Sequence, residues 1–226
     1  MKKLILVTKK IKKFNHKIIV EGDKSLSIRF ALLASQASGK STAYNLLRSD
    51  DVINTLNCLK KLGVKIKFKN NCCEIHGNGI NSFKYKRNLV LNLGNSGTLG
   101  RLLLALLIRS PYKIKLIGDQ SLSKRDFSRV ILPLRKFGAN FYPKNKKTLP
   151  IHIKGTNFLR PIEYFEKRAS AQVKSCIMLG ALNSPGITRI IAKKSRNHTE
   201  ILFKYLKIPI SVRKTKNFDF IKVNGK

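Results

Sequence analysis

The same order of signals returns three times along this chain: a strand, a helix, a second strand, a second helix and a closing pair of strands. In the first copy the strand HKIIVEG leads to the helix SLSIRFALLASQAS, the strand STAYNLL, the helix DDVINTLNCLKKLG and the pair VKIKFK and CCEIHG. The second copy runs NLVLNLG, NSGTLGRLLLALLIR, YKIKLIG, SKRDFSRVILPLRKFG, then ANFYP and LPIHIKG. The third runs PIEYFEKR, SAQVKSCIMLGAL, GITRIIAKK, RNHTEILFKYLK, then IPISVRK and FDFIKVNG. Each β-α-β-α-β-β unit is about 70 residues long. Three copies in one α/β domain predict an arrangement about a pseudo-threefold axis.

The helices rest on apolar spacing near 3.6, as in Leu99, Leu102, Leu103 and Leu106, or Val130, Leu134 and Phe137. The strands rest on alternation, as in Val64, Ile66 and Phe68. Gly63 and Gly138 end the second helices of units one and two, where a left-handed C-cap residue is wanted; Lys207 and Ile208 stand there in unit three. A chain of 226 residues can enclose a real core. The longest apolar run, Leu102 to Ile108, is far too short for a membrane span. Lys9 and Lys10 break the apolar stretch near the start, so a secretory signal is not expected and the cytoplasm is.

A net charge of +36 raises the question of nucleic acid. The charge is spread along the whole chain, is mostly Lys, and comes with no RNA-binding aromatic motif or zinc finger. A solvated Lys-rich surface is therefore the stronger reading, with a basic nucleic-acid-binding α/β domain as the alternative. Such a surface also draws small anions toward any cleft.

The repeat places the amino ends of the three first helices at equivalent positions, facing one region. These ends are GDKS (22–25), GNSGT (94–98) and ASAQ (169–172), all small and polar. Free N–H groups and the helix dipole make each a candidate anion site. Arg29 follows Ser25 by four residues and shares its face, leaving Leu26, Phe30 and Leu33 to pack elsewhere; the plain alternative is an N-cap with a surface Arg. Arg101 lies among leucines and calls for a carboxylate, a phosphate or a route to water. Arg125 and Arg196 stand at the starts of the second helices of units two and three, against the dipole, either aimed at the same cleft or simply exposed.

Several features are set aside. SGKST at 38–42 looks like the end of a P-loop, but Ala34 replaces the first Gly, and the stretch follows a helix and opens a strand. His16, His76, His152 and His198 have no metal-ligand spacing. Cys58, Cys72, Cys73 and Cys176 have neither a CxxC pair nor a zinc-finger spacing and read as reduced and structural. With 11 acidic residues, none persuasively placed, no Ser-His-Asp set can be argued.

Four segments in order, GDKSLSIR, LGNSGTLGRLL, GDQSLSKRDFSRVILPLRKFGA and ASAQVKSCIMLGAL, with RNHTE as a fifth, resemble the signatures of the enolpyruvyl transferases. The resemblance is to the shikimate branch, the 5-enolpyruvylshikimate-3-phosphate synthases, and covers almost the whole chain. It implies one domain of an inside-out α/β barrel and transfer of the enolpyruvyl group of phosphoenolpyruvate to the 5-hydroxyl of shikimate 3-phosphate, without metal or organic cofactor. It implies that Lys24, as the catalytic lysine, reaches both substrates, while Ser25, Arg29, Ser170, Ala171, Gln172 and Arg196 hold shikimate 3-phosphate. Asn95, Gly97 and Arg125 line the phosphoenolpyruvate side, with Gln172 close to both. Thr98 and Arg101 belong to the same motif, Arg101 shaping the loop.

Asp126 stands where the family has Pro after the Arg, a change that loosens or redirects the helix start aiming Arg125. The related UDP-N-acetylglucosamine enolpyruvyl transferases carry a reactive Cys in the loop that here reads GDQSLSKR, so that branch is the less favoured alternative. Family members are roughly twice as long, with two such domains. Residues 1–22 are accordingly expected to be strands of the second, carboxy-terminal domain, supplied in cis or in trans, and 23–226 the amino-terminal domain, with units near 23–86, 87–156 and 157–226. By this resemblance the chain alone is inactive.

Overall fold

The computed structural model describes Leu6, Lys9, Lys10, Lys12, Lys13 and residues 15–69, 72–145 and 147–225. Unit one holds α1 (Lys24–Ala34), β1 (Ser38–Tyr44), α2 (Asp50–Lys61), β2 (Lys65–Lys69) and β3 (Cys72–Asn78). Unit two holds β4 (Val90–Asn92), α3 (Gly97–Leu106), β5 (Ile114–Ile117), α4 (Gln120–Ser123), α5 (Ser128–Phe137), β6 (Asn140–Tyr142) and β7 (Ile151–Lys154). Unit three holds β8 (Glu163–Glu166), α6 (Ala171–Ala181), β9 (Gly186–Lys193), α7 (His198–Tyr205), β10 (Ile210–Lys214) and β11 (Phe218–Gly225).

Each unit builds its own sheet. Units two and three have four strands in the same order, β4-β5-β7-β6 and β8-β9-β11-β10. In both, the leading strand runs parallel to the next, with Leu91 opposite Leu116 and Phe165 opposite Ile191, and the other pairings are antiparallel. Unit one has three strands, β1-β3-β2. The expected strand at 16–22 does not form; Val20 O only accepts from Asn45 Nδ2, 3.2 Å away at the end of β1. The earlier positions 1–5, 7, 8, 11 and 14 lie outside the described residues. An apolar groove lined by Phe30, Leu33, Leu202 and Tyr205 runs between the open edge of β1 and α7.

The first helix of each unit is buried nearly all round: Ile28, Ala31 and Leu32 in α1, Leu99 and Leu102 to Leu104 in α3, and Cys176 to Met178 in α6 are fully enclosed. That follows from sequences apolar on every face. The second helices bury one stripe each, Val52, Leu56 and Leu59 in α2, Val130, Leu134 and Phe137 in α5, and Phe203 in α7. Each enclosed Leu or Phe contributes about 1.5–3 kcal/mol, so these two layers supply most of the drive to fold.

All three second helices end alike. Val64 N–H returns to Leu59 O, Ala139 N–H to Leu134 O and Ile208 N–H to Phe203 O. The residue before each is left-handed: Gly63, Gly138 and, without a glycine, Lys207 at φ 54. The helix expected over 123–138 is broken instead. Residues 124–127 turn between α4 and α5, because the Phe127 N–H goes to Lys147 O (2.7 Å) and the Asp126 carboxylate takes the Ser128 N–H (2.6 Å). Asp126 thus anchors the start of α5 rather than loosening it. No helix among the described residues is long and apolar enough to cross a membrane.

Candidate active site

The amino end of α1 is capped by Asp23, whose carboxylate accepts the Leu26 N–H at 2.7 Å. Lys24 is exposed and ion-paired with Asp51 at 3.4 Å. Arg29, one turn on, is only 4% exposed, so the surface-Arg alternative does not hold. Its guanidinium donates to Thr199 Oγ1 (2.8 Å), Ser175 Oγ (3.0 Å) and Ser25 O (3.0 Å), and Thr199 donates to Ser175 at 2.7 Å. Three of its five N–H donors are thereby committed, two of them joining α1 to α6 and α7. Burial pulls the Arg29 pKa below its ordinary value, nearby Glu200 opposes that shift and exposed Arg196 adds to it. Leu26, expected to pack, is instead 40% exposed beside this end.

The amino ends of α3 and α6 are locked by Gln172, whose amide donates to Thr98 Oγ1 (2.9 Å) and accepts from Arg101 Nη1 (3.1 Å). Arg101 also donates to Gly97 O and Asp126 O, and its guanidinium lies 5.1 Å from the centre of the Phe127 ring. Among the described residues its partners are neutral oxygens and an aromatic face rather than a carboxylate, and it is only half-buried, which fits the route to water that its setting among leucines also allowed. Burial, then the neighbouring Arg125 and Arg129, lower its pKa.

Arg125 reaches the same place from the turn before α5, donating to Asn95 Oδ1 at 3.3 Å. Asn95 in turn donates to Asp119 Oδ2 (2.6 Å), and the other Asp119 oxygen caps α4 at the Leu122 N–H (2.7 Å). Those contacts, the Leu122 bond first, hold the Asp119 carboxyl below its usual range. Gly97 is overlooked by both guanidiniums: a Cβ there would meet Arg101 Nη1 at 2.8 Å and Arg125 Nη1 at 3.1 Å.

In unit three, Ser170 caps α6 by accepting the Val173 N–H, and buried Glu166 holds the preceding turn by accepting from Arg168 and Ser170 N–H. Ala169 is left-handed in that turn, at φ 55. Ala171 opens the helix, with its N–H in the first turn where intrahelical acceptors are lacking.

The structure thus joins Asn95, Gly97, Thr98, Arg101, Arg125 and Gln172 in one group, and Ser25, Arg29, Ser175 and Thr199 in a second, with α6 common to both. Sequence reasoning missed Asp51, Asp119, Ser175 and Thr199, and it passed over Lys174 and Glu200, a fully enclosed ion pair at 2.6 Å. A lysine inside the apolar run VKSCIML was the available signal, of the same kind that singled out Arg101. Among the described residues no His, Cys, Asp or Glu cluster suits a metal ion. The four cysteines are free; burial pushes the Cys58 thiol up to about 12 and the Cys73 thiol to about 11. The P-loop-like SGKST forms β1.

A family model described as EPSP synthase (3-phosphoshikimate 1-carboxyvinyltransferase) matches residues 8–226. The 3-phosphoshikimate 1-carboxyvinyltransferase of Lactococcus lactis is 42% identical over 183 residues, 80% of this chain and 42% of that protein. That of Zymomonas mobilis is 39% identical over 222 residues, 97% of this chain and 49% of that protein. A solved EPSP synthase structure from Acinetobacter baumannii superimposes with a TM-score of 0.84 at 35% identity, covering 93% of this chain and 47% of its own. The chain therefore spans about half the length of the curated relatives it matches.

Proposed function

The chain belongs to the EPSP synthase family, and from that premise we propose that it supplies the half that anchors shikimate 3-phosphate in the transfer of the enolpyruvyl group from phosphoenolpyruvate. The observation that carries this reading is the convergence of three helix amino ends, tied by Arg29 to Ser175 and Thr199 and by Gln172 to Thr98 and Arg101. Such a surface offers fixed cations and oriented N–H groups to two polyanionic substrates and, unlike water, needs no reorientation as charge moves between them.

On this reading Ser25, Ser170, the Ala171 N–H, Gln172 and Arg196 hold shikimate 3-phosphate, with Arg29 behind them. Asn95, Gly97 and Arg125 face phosphoenolpyruvate, and the Lys24 ammonium leaves Asp51 to meet both. The 5-hydroxyl adds to the enol carbon and phosphate then leaves. The groups that move protons in those steps belong to a second, carboxy-terminal domain, to which residues 1–22 also contribute, and the assembled protein acts in the cytoplasm.

The test is calorimetric titration with shikimate 3-phosphate beside a random-sequence RNA oligonucleotide of similar charge. Saturable binding of the small anion, not displaced by RNA, and negligible phosphate release from the two substrates by this chain alone are expected. RNA binding that falls steeply with salt and ignores shikimate 3-phosphate would instead make this a nucleic-acid-binding domain.

A further inference from the structure

Lys174 is fully enclosed on α6, with Nζ 2.6 Å from Glu200 Oε1 on α7 and 3.8 Å from Asp219 Oδ2 on β11. The short approach to Glu200 is off the axis of a hydrogen bond, so the contact is ionic in character. Replacing a buried pair by apolar residues of similar volume is often neutral or stabilising, which makes stability a poor reason for its presence.

The repeat supplies an internal control. Lys174 lies four residues after the cap Ser170, whereas four residues after the caps Asp23 and Ser96 come Ser27 and Gly100. Glu200 lies three residues after Asn197, at the place taken by fully buried Val52 after Ser49 and Val130 after Phe127. Asp219 lies six residues before Gly225, where an added Cβ would run into the carbonyl of Ala181; six before Gly155, where an added Cβ would run into Ile108 O, stands buried Leu149. At the matching positions units one and two place Ser27, Val52, Gly100, Val130 and Leu149, none of them charged, so the fold does not require a buried charge there.

The cluster's place suggests its use. Lys174 sits one helical turn below Ser170, Glu200 one turn below Arg196, and Glu200 follows Thr199, the acceptor of the Arg29 Nε–H. Glu200 is also the strongest attractive charge acting on Arg29.

We propose that Lys174, Glu200 and Asp219 are positioning residues that fix α7 against α6, and so hold Arg29, Ser170 and Arg196 in the arrangement that receives an anionic sugar-phosphate-like ligand. The ligand named rests on the function proposed above; the geometry of Arg29 does not. An ionic tie is suited to this task because a buried charge is costly unless it meets its partner, so packings of the two helices that part Lys174 from Glu200 and Asp219 are disfavoured.

The experiment compares the parent chain with K174M/E200L/D219N, which removes all three charges. The triple variant is expected to fold with its thermal midpoint near or above the parent's, and to bind shikimate 3-phosphate about tenfold or more weakly, as loss of supporting contacts behind a binding residue generally does. In nitrogen-resolved proton spectra, the slowly exchanging Arg29 Nε–H signal of the parent should move into the range of exposed arginines. A folded variant with affinity within twofold of the parent, or with that signal in place, overturns the proposal. If the parent itself does not bind shikimate 3-phosphate, the functional reading falls and the Arg29 signal alone decides the positioning role. If the triple variant does not fold, Glu200→Gln, which keeps the shape, gives the same two readings.

Discussion

The two sides of the candidate site treat the same residue type in opposite ways. Arg29 is enclosed, committed to two hydroxyls and a carbonyl, and offset by a buried carboxylate one residue beyond Thr199. Arg101 and Arg125 crowd around Gly97, held by amide and carbonyl oxygens and an aromatic ring, and they repel each other. The first side is already electrically satisfied and works by rigidity. The second holds two cations at close quarters with only Asp119 and Asp126 as nearby acids among the described residues, a repulsion that an arriving anion would relieve.

The largest test of that contrast is Lys174→Ala. It leaves Glu200 and Asp219 buried without their cation, and a loss of about 3–5 kcal/mol in guanidinium unfolding is expected. Arg101→Ala, on the open side, gives up hydrogen bonds and the Phe127 contact but strands no buried charge, so about 1–2 kcal/mol is expected in the same measurement. Equal losses would erase the distinction between the two sides.

Gly97→Ala sharpens it differently. The added methyl can be met by shifts of two flexible guanidiniums, so stability should change by less than about 1 kcal/mol. Phosphoenolpyruvate binding should weaken while shikimate 3-phosphate binding holds, as paired titrations would read. Weakening of both alike would mean that the two sides are not separate.

The smallest effect concerns Asp119, whose folded pKa is depressed by the Leu122 N–H and by Asn95. Its contribution is fully present above the unfolded carboxyl value near pH 4 and is lost as pH falls through the lower folded value. The protection of the Leu122 amide, the slowing of its exchange relative to an unstructured amide at the same pH, should therefore fall in acid, and Asp119→Asn should make that protection independent of pH. A parent protection that stays constant through the acid range would sever the link from Asp119 through Asn95 to Arg125.

Much of this was readable along the chain. The repeat, the αL turn after each second helix and the helix amino ends are local matters, and GDKS, GNSGT and ASAQ lie where spacing put them. One local reading failed for a nonlocal reason: the helix over 123–138 broke because Phe127 and Asp126 found backbone partners at Lys147 and Ser128. HKIIVEG, assigned to the second domain, pairs with no strand among the described residues. The acids were undervalued: with only 11 against 47 basic residues, an acid that is enclosed, such as Glu200 or Asp219, carries more information than any one lysine.

By itself the sequence determined three β-α-β-α-β-β units, their buried first helices and the family, because periodicity, caps and motifs act over a few residues. Only the tertiary structure decided that unit one has a three-stranded sheet among the described residues, that Arg29 faces inward and Arg101 is held by neutral oxygens, and that Lys174 is buried against two acids. Those outcomes depend on contacts across 26 to 170 positions, such as Lys174 with Glu200 and Arg29 with Thr199, whose energy is set by distance and burial. No local pattern encodes either quantity.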